Sequence, residues 1–295
     1  MKYLILILLS LCSYSIDLSG QIIMPTPGKI ERADDRLRLQ GKIRMYAEES
    51  PGSFIRLFYE KLVSESAVEW CKEEVNSHIS WKKDVTLPTE GYRIRVTPER
   101  IIVEAADDAG FIYAIQSLRQ WNTGEERGLI FPCVEITDFP RVKWRSFMLD
   151  SGRQYQKVST IKKYIDMASM LKMNYFHWHL TEGLGWRIEI KRYPFLTRIG
   201  AFVGQGPEQQ GFYSQEEVKE IIGYAADRGI TVVPEIDMPG HAEAALNAYP
   251  RLGCFNVAVK VPQSGFTQNI FCLLYTSSEP TRPEPISYAV FCLKK

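Results

Sequence analysis

The sequence predicts an α/β protein: a small α/β domain followed by an incomplete (β/α)8 TIM barrel, about its first three strands. Three observations carry this. From residue 145 the chain alternates short apolar runs with amphipathic stretches: "RSFMLD", "KVSTIKKYIDMASMLKM", "NYFHWHL", "SQEEVKEIIGYAADRG" and "ITVVPEIDM". That alternation, with nearly continuous apolar strands, is the signature of a parallel sheet covered by helices. Each apolar run also ends in chemically able side chains: Asp150, Ser151 and Arg153, then His177, His179 and Glu182, then Glu235, Asp237 and His241. Loading every strand at its C-terminal end is the habit of a barrel more than of an open sheet. The region before residue 139 has a different texture, with a hairpin and separate helices.

The elements follow in order. "MKYLILILLSLCSYS" holds one lysine and then about a dozen apolar residues, too short to span a bilayer comfortably. With the small Ser19-Gly20 pair after it, residues 1–20 read as a secretory leader, a membrane anchor being the alternative. The mature chain is thus expected to be exported, to a periplasm or the exterior. Residues 21–138 form the first domain. "FIRLFYEKLVSESAVEWCKEE" has helical spacing at Phe54, Leu57, Phe58 and Leu62. "GYRIRVTPERIIVEAAD" is a hairpin turning at Thr97–Arg100, and "DAGFIYAIQSLRQW" is a helix with Asp108 as its expected N-cap. In the second domain, 139–254, the helix after the first strand turns Ile161, Ile165, Ala168 and Leu171 to one face, and the next has a polar cap, an acidic first turn and a terminal glycine. Residues 255–295 show no helical period and are expected to be foreign to the barrel, with few contacts and little regular structure.

Composition excludes some functions. With 36 basic against 35 acidic residues there is no basic field for nucleic acid. Past the leader the cysteines are Cys71, Cys133, Cys254, Cys272 and Cys292, at no metal-like spacing, and no disulfide is assigned. His177 and His179 lie two apart in a strand and share a face, as do Glu235 and Asp237. Buried carboxylates and imidazoles need partners, and pairing around a polar ligand supplies them. A metal hydrolase is the rival reading, since His-x-His at a barrel strand end resembles the amidohydrolase pattern. That pattern wants further histidines from later strands, yet only His78 and His241 accompany the pair and no aspartate follows Asp237. No metal and no cofactor are expected.

The stretches "WRSFMLDSGRQY", "NYFHWHLTEGLGWRIEIKRYPFLTRIGA" and "GFYSQEEVKEIIGYAADRGITVVPEIDMPGHAEAALNAYPRLGC" resemble family 20 glycoside hydrolases, the exo-acting β-N-acetylhexosaminidases. "YRIRVTPERIIVEAADDAGFIYAIQSLRQ" resembles that family's small N-terminal domain. The resemblance implies a substrate-assisted, retaining mechanism on N-acetylhexosamine glycans, in which the 2-acetamido oxygen attacks the anomeric carbon. It implies that Arg153 grips sugar hydroxyls, with His179, Glu182 and His241 in the polar web beneath and Asp150, His177, Glu235 and Asp237 in support. Two departures stand out. Glu182 replaces the first aspartate of "HLTDDQGW", and the later Asp-Glu pair that orients the acetamide and protonates the leaving oxygen has no counterpart here. The chain as written is therefore expected to lack activity, a non-catalytic sugar-binding fragment being the other reading.

Overall fold

Residues 22–124, 128–203, 206, 210–257, 259 and 269–272 are described by the structure, a computed structural model. The leader-like segment 1–20 lies outside them, as does most of 255–295. Among the described residues no helix is long and apolar enough to cross a membrane.

The first domain is a seven-stranded mixed sheet with two helices on one face. In chain order its strands are β1 (Lys29–Leu39), β2 (Ile43–Ala47), β3 (Val68–Trp70), β4 (Ile79–Lys83), β5 (Tyr92–Val96), β6 (Ile101–Ala105) and β7 (Leu129–Asp138); in space they run β1-β7-β5-β6-β4-β2-β3. The expected hairpin is β5–β6, registered Val96 to Ile101 and closed by Thr97 N donating to Arg100 O at 2.9 Å. Helices α1 (Phe54–Lys61) and α2 (Asp108–Trp121) bury Phe54, Leu57, Phe58, Phe111, Ile115 and Leu118 against Met45, Ile79, Ile94 and Val103. Helix α1 follows the spacing of Phe54, Leu57 and Phe58 and is capped at Leu62. Helical spacing ends at Leu62, a 3-10 turn follows over Glu65–Ala67, and Val68–Trp70 pairs with β2 as an edge strand. Tertiary pairing overrides local period there. The cap of α2 is also one residue earlier than expected: Asp107, in extended conformation, accepts from Gly110 N at 2.9 Å.

In the second domain β8 (Ser146–Asp150), β9 (Tyr175–His179) and β12 (Thr231–Glu235) form a parallel sheet in the order β12-β9-β8. The two-residue strands β10 (Thr181–Glu182) and β11 (Gly185–Trp186) make a tight hairpin just beyond β9. Helices α3 (Val158–Met170) and α5 (Gln215–Ala226) cover one face, packing Ile161, Ile165, Val218 and Ile221 on Phe176 and Trp178. The short helices α4 (Phe195–Arg198) and α6 (Glu243–Ala248) flank the strand ends. The period of two then sends Tyr175, His177 and His179 to the opposite face, the interior of a barrel. These strands and helices form part of an α/β barrel.

Helix α5 opens on a capping box: Ser214 Oγ accepts from Glu217 N at 3.1 Å and Glu217 Oε2 accepts from Ser214 N at 2.8 Å. Ser214→Ala should lower stability by about 1 kcal/mol in urea unfolding, and an unchanged midpoint would mean the box contributes nothing.

Of segment 255–295, Asn269–Cys272 dock on the loop after β12. Phe271 N donates to Pro239 O at 2.9 Å, Cys272 N to Leu252 O at 2.8 Å, and Phe271 bridges antiparallel to Gly253. Among the described residues this segment adds no strand beside β12.

Candidate functional site

The strand register decides which side chains meet. Asp150, His179 and Glu235 are level across β8, β9 and β12, at the last rung of the sheet. All eight residues that the family resemblance assigns to the site converge there. His179 is enclosed, its Nδ1 2.9 Å from Glu235 Oε2, its Nε2 3.6 Å from Glu182 Oε2 and 4.0 Å from Asp150 Oδ1. These are ionic contacts; neither ring nitrogen has an aligned hydrogen bond. Direct contact with the Glu182 carboxylate foremost, then with Glu235, and the charge of Asp150 and Glu235 outweigh burial and push His179 up to about 9, so it is an imidazolium at neutral pH.

Glu182 sits at the centre of the web, fully buried. It receives His241 Nδ1 at 2.7 Å and lies 3.5 Å from the Arg153 guanidinium. Burial pushes its carboxyl up, but His179, His241 and Arg153 together overcome this and hold it below the usual range. The Glu182 carboxylate thus stands at the crossing point of three cations or donors. His241 reaches it from a left-handed backbone, φ +52°, after the Met238–Pro239 peptide. Glu235 bonds His177 Nε2 at 2.5 Å; burial raises its carboxyl, and His179 and His177 more than offset that.

At the rim, Arg153 is 44% exposed and pairs closely with Asp150, whose other oxygen accepts from Arg153 N at 2.9 Å. Its Nη2 turns inward to Glu182 at 3.5 Å, and as the most exposed cation of the cluster it is placed to meet a polar ligand. Asp237 lies just past β12, fixed by its own N–H donating to Thr181 Oγ1 at 2.8 Å. His179, Glu182 and Asp237 bring ligand-type atoms within 4.8 Å of one another.

One residue of the site's framework escaped the sequence reading. Arg187 is wholly buried and forms no ion pair among the described residues; it donates instead to backbone carbonyls. Nε reaches Ser151 O at 3.0 Å, Nη1 reaches Ala201 O at 2.7 Å and Gly211 O at 3.2 Å, and Nη2 reaches Gly152 O at 3.1 Å. Burial lowers it to about 10, still charged at neutral pH. It locks the loop bearing Arg153 to the loops beyond β11. Gly185 leaves it room: a Cβ there would lie 2.1 Å from the guanidinium carbon. Ser151 Oγ adds a second tie, accepting from Trp178 Nε1 at 2.9 Å and donating to Gln156 Oε1 at 2.7 Å.

Two family descriptions match this chain: "Glycosyl hydrolase family 20, domain 2" over residues 21–139 and "Glycosyl hydrolase family 20, catalytic domain" over residues 142–284. The chain belongs to glycoside hydrolase family 20. The catalytic-domain match takes in much of the segment that the sequence reading set apart after residue 254. The family 20 chain is 88% identical to the solved β-N-acetylhexosaminidase of Bacteroides fragilis, with a TM-score of 0.85 over 93% of this chain and 55% of that one. It is 39% identical to a β-hexosaminidase of Porphyromonas gingivalis over 86% of its own length and 35% of the relative's. An exo-β-N-acetylglucosaminidase of Vibrio harveyi, solved with N-acetylglucosamine, superposes with a TM-score of 0.76 at 30% identity, over 85% of this chain and 42% of that one. The family 20 chain therefore spans about a third to a half of the relatives it matches.

Proposed function

We propose that this chain supplies the sugar-gripping part of an exo-acting β-N-acetylhexosaminidase, which releases terminal non-reducing N-acetylhexosamine from glycans by a substrate-assisted, retaining mechanism. The observation that carries this is the convergence of Arg153, His179, Glu182 and His241 at three consecutive strand ends of a family 20 domain. In this reading Arg153 clamps hydroxyls of the terminal sugar with its fixed fork of donors, and Asp150 holds the fork in place. His179, Glu182 and His241 form the charged floor, kept rigid by Glu235 and His177. A floor of fixed charges, with His179 and Glu182 enclosed, costs little reorganisation as the oxocarbenium-like transition state forms.

No Asp-Glu pair follows His241 in these 295 residues. The polypeptide as it stands is proposed to bind sugar without turning it over. We also infer export, from the leader-like first twenty residues; recovery of the protein solely from the cytosolic fraction of its host would refute this.

The test is a chimera in which residues 22–254 replace the equivalent stretch of the Bacteroides fragilis enzyme. It should release nitrophenol from an N-acetyl-β-glucosaminide at a rate near that enzyme's. The 295-residue chain should be slower by at least the roughly 10²–10⁴-fold that general acid catalysis contributes. In the chimera, Arg153→Ala should lower kcat/KM about 10- to 150-fold, the worth of one charge-assisted hydrogen bond of about 1.5–3 kcal/mol. An inactive but folded chimera, or an Arg153→Ala variant with parental kinetics, would sink the reading.

A further inference from the structure

The first domain holds a cavity that shares no residue with the strand-end site. Its volume is about 310 Å³. It lies at the C-terminal ends of the parallel strands β2 and β4, where Ala47 and Lys83 stand, between the first turns of α1 and α2. Open α/β sheets bind ligands outside the carboxyl ends of their strands, and small-molecule sites run from roughly 300 to 1,000 Å³. Phe54, Trp81 and Phe111 supply an apolar wall, the two phenylalanine rings stacked 4.4 Å apart. Trp81 is 2% exposed, and its indole Nε1 is enclosed with no hydrogen-bond partner. Buried indole N–H groups usually find a partner, so one left without points to a group that the fold itself does not supply.

The polar side chains around the cavity narrow the choice of ligand. Asp107 is committed to the fold, its two oxygens accepting from Gly110 N and Glu90 N, each at 2.9 Å. Glu49, Lys83 and Asp108 also line the cavity, and their side chains make no hydrogen bond or ion pair among the described residues. Asp108 lies against the bare backbone of Gly52, where a Cβ would stand 2.6 Å from Oδ2. The excess of carboxylate disfavours an anion. The indole and the ammonium are donors only, and offer nothing to a metal ion or another cation. A neutral molecule that both donates and accepts, with a C–H face for the aromatic wall, satisfies every one of these groups. That is the chemistry of a sugar ring.

We propose that this cavity binds a single neutral sugar unit, a second saccharide site in the first domain. Hydroxyls of the sugar donate to the carboxylates of Asp108 and Glu49, one of its oxygens accepts from Trp81 Nε1, and its C–H face meets the wall of Phe54 and Phe111. The proposal does not rest on the glycosidase reading, since none of these residues belongs to the strand-end cluster.

The experiment follows the indole N–H resonances of the nitrogen-15-labelled 295-residue chain, which has six tryptophans, as N-acetylglucosamine, galactose or mannose is added. The resonance missing from Trp81→Phe should move with at least one of these sugars and saturate as a single site. It should move equally in Arg153→Ala, which disables the strand-end site. Calorimetry in the Arg153→Ala background needs no resonance assignment. Adding Asp108→Ala there should weaken the remaining sugar affinity about 10- to 150-fold, the worth of one hydrogen bond to a charged group, and the amide spectrum shows that the variant is folded. A Trp81 resonance that none of the three sugars moves would mean that water alone meets the indole, and would overturn the proposal. Affinity untouched by Asp108→Ala would do the same. Binding that vanishes with Arg153→Ala would also overturn it, by assigning all sugar to the strand ends and leaving the glycosidase reading intact.

Discussion

Arg187→Met should melt about 10 °C below the parent chain and should lose sugar binding at Arg153 with it. The first expectation follows from burial. The guanidinium is wholly enclosed and satisfies carbonyls of Ser151, Gly152, Ala201 and Gly211. Methionine fills much of the same volume but donates nothing, so those carbonyls are left dry and unpaired. Each carbonyl left buried and unpaired costs about 1–3 kcal/mol, so two or more of them cost several kcal/mol, and at about 2–4 °C per kcal/mol for a chain of this size the melting shift follows. The second expectation follows from position. Gly152 O is held by Arg187, and Arg153 is the next residue, so releasing one loosens the other. Arg187→Lys should recover only part of the loss, because an ammonium is a point donor that cannot reach carbonyls on three loops at once. Gly185→Ala gives an independent approach, because its Cβ would collide with the guanidinium at 2.1 Å. A melting temperature for Arg187→Met within about 2 °C of the parent, less than 1 kcal/mol, would show that water satisfies those carbonyls without cost.

Why Arg187 stayed hidden while its neighbours were legible has a physical reason. His177, His179, Glu235 and Asp237 are read from sequence because charge at the end of an apolar strand is anomalous, and spacing of two fixes their common face. Arg187 is paired with backbone oxygens, which every residue carries, so no partner marks it in the sequence. The faint signal was an arginine between Trp186 and Ile188, two apolar residues, just after a glycine. The strand after α1 was not legible for a different reason. Val68–Trp70 is a strand because β2 offers it an edge, and that edge is supplied by residues 43–45. The left-handed backbone at His241 accompanies its contact with Glu182 across 59 residues of chain, which no local spacing announces.

The joint between the two domains should be as sensitive as the site. Asp138→Ala is expected to cost about 3–5 kcal/mol at pH 7, the range for stranding one partner of a buried pair. Lys172 is the partner, with only 7% of its side chain exposed; its Nζ donates to Asp138 Oδ2 at 2.9 Å and to Tyr92 Oη at 2.8 Å. The cluster ties the end of β7 and the start of β5 to the loop between α3 and β9, so it couples one domain to the other. Burial already holds the lysine below its ordinary 10.5, with Asp138 opposing the shift. Removing Asp138 leaves burial unopposed, and the ammonium becomes easier to deprotonate in the folded state than in the unfolded one. Between the depressed folded pKa and the ordinary value the unfolded chain then binds the extra proton, so stability rises with pH across that window. The deficit of Asp138→Ala should therefore shrink from pH 7 to pH 9 in urea unfolding, relative to the parent chain at each pH. Lys172→Met combined with Asp138→Leu removes both charges and should recover most of the loss, since an apolar replacement of a buried pair is often neutral. A single variant as stable as the parent, or a deficit that grows with pH, would mean that Lys172 finds another partner and that the joint does not depend on this pair.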